Sequence, residues 1–397
     1  MICSSPITAS PDGEKGLQLQ SRVVLRLDVH VQYASPLLSL RPAGRPIDRS
    51  IRDLPIFSMT RLFIWMLFLA CSLGGCSGSD PIVVIELHPT NPDIIYIATN
   101  DYIYKTRDGG KTWSNLSKGM SYSRVIAMAI DPVYPATIYV GTKGDAVYKS
   151  YDGGQRWTSL RIGLDDATIS SVVNQFVFDP ADAQHLFLAT TMGVFESKNA
   201  GERWMKRMEG MKEVLMVVTL GMDPTRSSFL YAGTSGGVYK STNQGAHWVQ
   251  VNKGLVPTDM VKTSRALSVT SVQVDPSAPE TVYASTLAGL FKTTDGAASW
   301  VRVGESLPDQ MIVAMVLDRV RAGVLYVAAR DGIHRSEDGG KTWVALNDGL
   351  STTNIRSLAQ SAIDPKLFYA GTNGSGLYRS VDGGVHWEAR PSVFPKE

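Results

Sequence analysis

The 397-residue chain contains only three cysteines, Cys3, Cys71 and Cys76, and none follows residue 76. A folded body built from the later residues therefore has neither a disulfide nor a thiol nucleophile. The six histidines are scattered, and no HExxH or CxxC spacing occurs. We therefore expect no metal site and no cofactor.

An excess of positive charge is also missing from most of the chain. The formal net charge of +2 arises near the start, because residues 1–75 hold eight Lys or Arg and five Asp or Glu. Residues 76–397 hold 31 Lys or Arg and 32 Asp or Glu, so this part of the chain is close to neutral. Nucleic-acid-binding domains carry a basic stripe and a high pI, so we expect no nucleic-acid partner.

The longest apolar run near the start is too short for a membrane-spanning helix, which needs about 20 residues. It extends from Leu62 to Leu73, follows Met59-Thr60-Arg61 and precedes Gly74-Gly75-Cys76. This order is typical of a secretory signal. Leu73-Gly74-Gly75-Cys76 resembles a bacterial lipobox, and the resemblance implies cleavage before Cys76 and diacylation of its thiol.

We therefore interpret residues 59–75 as a lipoprotein signal peptide and 76–81 as a tether. Because a start at Met59 would give a complete signal, we interpret residues 1–58 as a non-native or disordered extension. Two alternatives remain open: an uncleaved anchor preceded by a disordered segment, and a plain signal peptide followed by an ordinary Cys76.

The later residues contain one octet seven times, for example SEDGGKTW at Ser336–Trp343. The copies occupy 106–113, 150–157, 197–204, 241–248, 293–300, 336–343 and 380–387. Successive final tryptophans are 44, 47, 44, 52, 43 and 44 residues apart. A fixed period of this length indicates stacked supersecondary units.

The octet has the composition of a tight turn. An Asp or Asn at its third position can accept hydrogen bonds from backbone N–H groups two residues on, and a Ser or Thr at the first position can do so more weakly. Glycine at the fifth position supplies a positive φ, so we expect strain where Ala297 replaces it. The predicted structural residues are Asp108, Asp152, Asn199, Asn243, Asp295, Asp338, Asp382, Trp113, Trp157, Trp204, Trp248, Trp300, Trp343 and Trp387.

The recurring octet resembles the Asp-box, or bacterial neuraminidase repeat. Around each copy lie four short strand-like runs, with an Asp-Pro or similar breaker between the first two, as at Asp131-Pro132 and Asp364-Pro365. Four strands in each of seven units predict an all-β, seven-bladed β-propeller over residues 82–390, with a tail at 391–397. The first unit begins with its own inner strand and the last ends with its own outer strand, so we expect no strand exchange between the ends.

The predicted third strands carry a base after an aromatic residue. The bases are Lys105, Lys149, Lys240, Lys292, Arg335 and Arg379, and Glu196 is the exception. We expect their stems to pack between blades while their charges stay in water or pair with acids.

The octets join the third and fourth strands, so they share a face with the turns between the first and second strands. We expect function on the opposite face, which is built from the two–three loops and the inter-unit loops. The candidate partner-binding residues there are Arg124, Arg265, Arg356, Arg330 and Lys262. We place the three arginines Arg124, Arg265 and Arg356 just before inner strands, and solvated loop arginines are the alternative.

Two kinds of glycosidase contain propellers with similar repeats. Sialidases carry Asp-boxes on six blades, with an Arg-Ile-Pro motif that this chain lacks. Xyloglucanase-type glycosidases pair two seven-bladed propellers, and glycoside hydrolysis needs two carboxyls about 5–10 Å apart. The candidate carboxylates for such a pair are Asp101, Asp145, Asp165, Asp331 and Glu213. Sortilin-type propellers have ten blades and disulfide-rich modules, which does not fit seven units without cysteine.

Over about residues 81–390 the chain resembles the photosystem II stability/assembly factor family. That resemblance implies a single propeller without catalytic residues, which binds membrane-protein intermediates through an arginine patch. We therefore expect a monomeric, lipid-anchored protein of the cell envelope with a membrane or envelope protein as its partner. On which membrane it lies, and whether its host is photosynthetic, stay open. The alternative is a glycoside hydrolase or a glycan-binding protein.

Overall fold

The computed structural model describes residues 80–120, 124–164, 171–211, 214, 216–255, 266–307, 311–391 and 394–395. The segments predicted as extension, signal peptide and most of the tether lie outside these residues, as does Cys76. The described residues form twenty-eight β-strands and no helix. None of them therefore belongs to a helix that could cross a membrane.

Each blade is one four-stranded antiparallel sheet made of four consecutive strands. Blade 1 has β1 (Val84–Leu87), β2 (Ile95–Ala98), β3 (Ile103–Thr106) and β4 (Ser114–Asn115). Blade 2 has β5 (Arg124–Ile130), β6 (Ile138–Lys143), β7 (Val147–Ser150) and β8 (Thr158–Leu160). Blade 3 has β9 (Val173–Asp179), β10 (Asp182–Thr190), β11 (Gly193–Ser197) and β12 (Met205–Lys206). Blade 4 has β13 (Val217–Met222), β14 (Leu230–Thr234), β15 (Gly237–Ser241) and β16 (Val249–Gln250).

The remaining three blades follow the same order. Blade 5 has β17 (Val269–Val274), β18 (Val282–Thr286), β19 (Gly289–Thr293) and β20 (Val301–Val303). Blade 6 has β21 (Ala314–Leu317), β22 (Leu325–Ala329), β23 (Gly332–Ser336) and β24 (Val344–Ala345). Blade 7 has β25 (Ile355–Gln360), β26 (Phe368–Thr372), β27 (Leu377–Ser380) and β28 (Glu388–Arg390). The predicted seven-bladed propeller is confirmed, and no blade borrows a strand from another.

The ring closes between blades 7 and 1. Ile82 precedes β1, and its N–H donates to the carbonyl of Thr372 at the end of β26 (3.1 Å). Its own carbonyl accepts from the hydroxyl of Ser357 in β25 (3.0 Å). On the outside, Phe394 stacks on Tyr104 with 4.8 Å between ring centroids. Segments from both ends of the described chain therefore seal this junction.

The octets close by the same hydrogen bonds in all seven blades. The first-position hydroxyl accepts from the N–H of the fifth residue, as Thr106 does from Gly110 (3.0 Å). The third-position side chain accepts from the N–H four residues on, as Asp108 does from Thr112 (2.9 Å). The sequence analysis placed this donor two residues on, which is wrong, because the carboxylate reaches across the whole turn.

These bonds favour the ionised form of the octet aspartates. The pKa of Asp108 is well below its ordinary value because the hydroxyls of Thr106 and Thr112 and the N–H groups of Thr112 and Lys111 donate to its carboxylate, outweighing a smaller effect of burial. The pKa values of Asp295 and Asp338 are lowered in the same way.

Two successive residues of every octet have a positive φ. The fifth position ranges from 72° to 93° and includes Ala297 at 72°, as predicted. The fourth position ranges from 53° to 83° and includes Ala200 and Gln244, which the sequence analysis did not single out. Left-handed backbone costs a residue with a Cβ about 1–2 kcal/mol, so three turns carry strain.

We predict that Gln244→Gly raises the free energy of unfolding by about 1 kcal/mol, because glycine adopts φ 58° without the Cβ penalty. The hydrogen bonds of this octet do not involve the half-buried side chain of Gln244, so the substitution leaves them in place. Urea denaturation measures the change. The matched control is Thr242→Gly, at an exposed position without a positive φ, where a loss of about 0.5–1 kcal/mol is expected. If both substitutions lowered the free energy of unfolding, the left-handed backbone at Gln244 would not be strained.

Lysines of the third strand clamp the octet of the next blade. The ammonium of Lys149 donates to the carbonyl of Ala200 (2.8 Å), and that of Lys240 donates to the carbonyl of Gly296 (2.7 Å). Each ammonium also lies near an aromatic ring of the second strand, as Lys149 does at 4.9 Å from the ring centroid of Tyr139. The expected packing between blades is confirmed, but these charges bind backbone carbonyls rather than acids.

Most octet tryptophans fasten neighbouring blades, whereas the indole N–H of Trp343 donates within its own octet (3.0 Å). The indole N–H of Trp248 donates to the carbonyl of Arg207 in blade 3 (3.1 Å), and that of Trp300 donates to the carbonyl of Val251 in blade 4 (2.7 Å). Trp387 repeats this contact with Leu346 of blade 6 (2.9 Å). The octet is thus a joint between blades as well as a turn.

One predicted breaker is displaced. In blade 2 the N–H of Asp131 donates to the carbonyl of Thr137, and in blade 7 the N–H of Ser361 donates to that of Leu367. Ser361, rather than Asp364, therefore occupies the breaker position. Its hydroxyl accepts from the N–H groups of the residues two and three further on, as the Asp131 carboxylate does.

Candidate binding face and central cavity

The two faces of the disc differ in composition. We call the face that bears the connections between second and third strands the loop face, and the face that bears the octets the octet face. Octet side chains are largely used in closing the turns and joining the blades. The loop face instead presents exposed side chains that do not repeat from blade to blade: Asp101, Lys143, Met192, Leu287 and Arg330.

Two of the predicted arginines, Arg124 and Arg356, lie at this face but not at equivalent positions. Arg124 is the first residue of β5, and its guanidinium donates to the side chain of Asn100 in the neighbouring loop of blade 1. Arg356 is the second residue of β25 and lies at a β-bulge between Ile355 and Ser357. Both lie within inner strands, not before them as predicted, because those strands begin earlier than expected.

Of the other candidates, only Arg330 lies within the described residues. Arg330 is exposed, and its guanidinium contacts the sulfur of Met311 (3.2 Å). Arg265 and Lys262 lie outside the described residues. The bulge in β5 falls on Ile126, two residues after Arg124, whereas Arg356 is itself the bulged residue of β25.

The candidate carboxylates are held one by one in different blades. Asp145 of blade 2 pairs with Arg161 and accepts from the hydroxyl of Tyr148. The carboxylate of Asp331 in blade 6 lies 3.0 Å from the imidazole of the buried His334. Asp101 belongs to blade 1, while Asp165 and Glu213 lie outside the described residues. Among the described residues, therefore, no two of these carboxylates pair with the same basic side chain.

The central channel contains a cavity of about 380 Å³ that the sequence analysis did not predict. Inner strands of blades 1, 3, 5, 6 and 7 line it, and its polar lining includes Glu86, Gln175, Gln273, Arg319 and Gln360. Glu86 is the acidic residue among these, and it lies near the octet end of β1. The feature of the sequence that could have pointed to this site is a single acidic residue, Glu86, in an otherwise apolar inner strand.

Glu86 is surrounded by the channel wall. Burial raises the pKa of its carboxyl to about 8, although the charge of Arg319 acts in the opposite direction. No hydrogen bond to the carboxyl group of Glu86 is present among the described residues. A carboxyl with this pKa is mostly protonated at neutral pH, so it can donate as well as accept hydrogen bonds.

Because the folded-state pKa of Glu86 lies above its unfolded value, its contribution to stability is full below about pH 4 and is lost as the pH rises through 8. We predict that Glu86→Gln raises the free energy of unfolding at pH 8.5 by about 1–2 kcal/mol. The gain should vanish at pH 4. Denaturation at both pH values measures it, with the exposed Glu305→Gln as the control. An equal effect of Glu86→Gln at pH 4 and pH 8.5 would argue against a raised pKa.

Blade 3 contains a buried ionic network where the other blades have a lysine or arginine. The two ring nitrogens of His185 lie 2.9 Å from the carboxylates of Asp179 and Glu196. The guanidinium of Arg207 donates to the other oxygen of Glu196 (2.8 Å through Nε). Hydrogen bonding to Glu196 raises the pKa of His185 against the opposing effect of burial. No three His, Cys, Asp or Glu of the described residues are placed to hold a metal ion.

The pKa of Glu196 is lowered to about 2, because bonds from His185 and Arg207 outweigh the upward effect of burial. The Glu196 exception was visible in the sequence, but His185 was not singled out as its partner. The network has no exposed nucleophile, so it holds blade 3 together rather than presenting reactive groups.

Comparisons with known proteins identify the fold but no family for the whole chain. No curated protein matches it. The family described as "Sortilin, neurotensin receptor 3" (Sortilin-Vps10) matches residues 101–223, less than a third of the chain. This segment carries the octets of blades 1 to 3. The match is therefore local, and it does not conflict with the difference between seven blades here and the ten expected of a sortilin-type propeller.

Solved structures resemble the whole propeller. The GH74 xyloglucanase from Xanthomonas campestris is 18% identical with a TM-score of 0.64, over 79% of this chain and 55% of that one. YCF48 from Cyanidioschyzon merolae is 16% identical with a TM-score of 0.56, over 77% of this chain and 97% of that one. A structure of YCF48 bound to D1 peptide is 16% identical with a TM-score of 0.57, over 77% and 93%. The chain thus spans about half the length of the xyloglucanase and nearly all of YCF48, and its propeller fold resembles both.

Proposed function

We propose that this protein is a non-catalytic propeller, anchored to a membrane through a lipid on Cys76, which binds a membrane or envelope protein as an assembly or stability factor. In this proposal the octets are Asp-boxes that build the disc, and the loop face binds the partner. The anchor confines the disc to the membrane plane, which raises its effective concentration toward a partner in the same membrane.

The observation that carries the proposal is the contrast between the two faces. The octet face is built from seven similar turns whose side chains bind their own backbone. The loop face presents exposed charged and apolar side chains that differ between blades, such as Lys143, Leu287 and Arg330. A surface of this kind suits one specific partner, because its pattern does not repeat with the blades.

The near-complete overlap with the YCF48 structures, one of which is bound to D1 peptide, supports the binding of a protein partner by a single propeller, since one propeller accounts for nearly all of each of those chains. The proposed carry-over of their peptide binding to this chain rests on the shared fold alone.

A glycoside hydrolase or glycan-binding protein is the second candidate, and the xyloglucanase likeness favours it. Such an enzyme needs two carboxyls about 5–10 Å apart. The described candidates Asp101, Asp145 and Asp331 belong to three different blades, and Asp145 already pairs with Arg161.

Affinity purification from detergent-solubilised membranes tests the proposal, with a parallel screen for glycan binding and glycosidase activity. We expect one integral membrane protein to be recovered and no glycan turnover. Arg330→Glu should lower recovery by about tenfold, the usual effect of reversing a buried interface charge. The control is Lys341→Glu, at an exposed position of the octet that follows the same strand, β23. Glycan turnover without a co-purifying membrane protein would refute the proposal.

The anchor is tested separately by metabolic labelling with a radioactive fatty acid. The label should appear on the protein and disappear in Cys76→Ala, while Cys71→Ala should retain it. Labelling that persists in Cys76→Ala would show that the lipid is not attached to Cys76.

A further inference from the structure

The point at which the chain enters the propeller constrains how the disc can sit on a membrane. Ile82 lies at the loop face, because it bonds to Thr372 at the end of β26 and is followed by Val83, whose N–H donates to Ala98 at the end of β2 (2.9 Å). It is also central, because its carbonyl binds Ser357 of the inner strand β25. From here β1 runs away from the loop face toward the octet face.

Few residues separate this fixed point from the lipid-bearing cysteine. Cys76 and Ile82 are six residues apart in the sequence, and a fully extended chain spans at most about 3.5 Å per residue, or ~20 Å in all. Any lipid on Cys76 therefore lies within this distance of the centre of the loop face.

The octet face is too distant to be the membrane side. In blade 5, Leu287 and Thr294 stand at the two ends of β19 and are seven residues apart. At about 3.3 Å per residue the two ends are ~20 Å apart. A tether that starts at the centre of the loop face would first have to run outward past the four strands of a blade, ~15 Å at about 4.8 Å between strands. It would then have to cross this thickness, and the two distances together exceed its ~20 Å reach.

We propose that the short segment between Cys76 and Ile82 holds the loop face toward the bilayer, so that the partner is engaged from the membrane side. The inference rests on the lipid anchor of the proposed function and adds the orientation of the disc. The occupant of the loop face is then an extramembrane segment of an integral membrane protein within about 20 Å of the bilayer surface. The octets face away from the membrane.

Single-cysteine labelling tests the orientation in the full chain purified from membranes. The processed protein would carry no free thiol, because Cys3 and Cys71 precede the cleavage site and Cys76 is acylated. Leu287→Cys at the loop face and Thr294→Cys at the octet face are both exposed and receive the same fluorophore. The proteins are reconstituted in phosphatidylcholine and phosphatidylglycerol vesicles that contain a headgroup-spin-labelled lipid as quencher.

We expect the label at residue 287 to be quenched at least about twice as strongly as that at residue 294, given their ~20 Å separation along the strand. A Gly/Ser insert of about 20 residues after Ser79, with a root-mean-square length of ~25 Å, should bring the two values together.

The mass of the mature N-terminus separates the possible failures. A lipidated protein with equal quenching at both sites, or with stronger quenching at residue 294, overturns the orientation and leaves the anchor intact. A protein without lipid on Cys76 overturns both. Stronger quenching at residue 287 that persists unchanged with the insert would show that the tether does not set the orientation, and would also overturn the inference.

Discussion

Trp248→Ala is expected to lower the free energy of unfolding by about 3–5 kcal/mol, the usual cost of truncating a buried aromatic side chain. Only 1% of Trp248 is exposed, and it packs with Phe187 of blade 3 and Val217 of blade 4. The substitution therefore opens a cavity between two blades. It also leaves the carbonyl of Arg207 without the indole donor.

Urea denaturation followed by tryptophan fluorescence and circular dichroism measures this loss. The matched control is Val249→Ala at the next position, where the side chain is 57% exposed and a change within about 0.5 kcal/mol is expected. If Trp248→Ala cost no more than its control, the octet tryptophans would not be the joints between blades.

His185→Leu is expected to cost about 3 kcal/mol or more at pH 6, because it removes a cation that lies between two buried carboxylates. Asp179 and His185 are about 5% exposed and Glu196 is 3% exposed. Leucine has a similar volume, so the loss is electrostatic rather than a cavity. Arg207 still binds Glu196 in the variant, whereas the second oxygen of Asp179 loses its donor.

The pH dependence identifies the cause. The pKa of His185 is higher in the folded protein than its ordinary value near 6.5, so its contribution is full below about pH 6.5 and is lost as the pH rises through the folded-state pKa. The stability difference between the parent and His185→Leu should therefore shrink between pH 6 and pH 9.

The control is His386→Ala. This histidine is exposed in an octet, 2.6 Å from the carboxylate of Asp348, and its loss should leave the free energy of unfolding close to that of the parent, because exposed ion pairs contribute little. A pH-independent difference for His185→Leu would indicate that packing, not charge, explains the loss.

The repeat made the architecture predictable. Seven octets in register determine the blade number, because each must join a third strand to a fourth and the same hydrogen bonds then recur. Their finer geometry was not predictable to the same degree. The side chain of Asp108 reaches N–H groups three and four residues on, and Gln244 tolerates a left-handed backbone that its identity does not favour.

The candidate site was less predictable, because it depends on departures from the repeat. A β-bulge changes which side chains face the channel, and a sequence pattern does not show where the bulges fall. Arg124 and Arg356 looked equivalent in the sequence, but Arg356 is itself the bulged residue of β25, whereas the bulge of β5 falls on Ile126, two residues after Arg124. The pKa of Glu86 likewise depends on the channel wall contributed by distant blades.

Site-specific photocrosslinking in living cells tests the central claim, that the loop face binds a membrane-protein partner. A photoreactive phenylalanine analogue replaces Met192 on the loop face or Tyr151 on the octet face, both exposed. We predict one ultraviolet-dependent adduct with an integral membrane protein from position 192 and none from position 151. An adduct that forms only from position 151, or no protein adduct from any exposed loop-face position, would contradict the account.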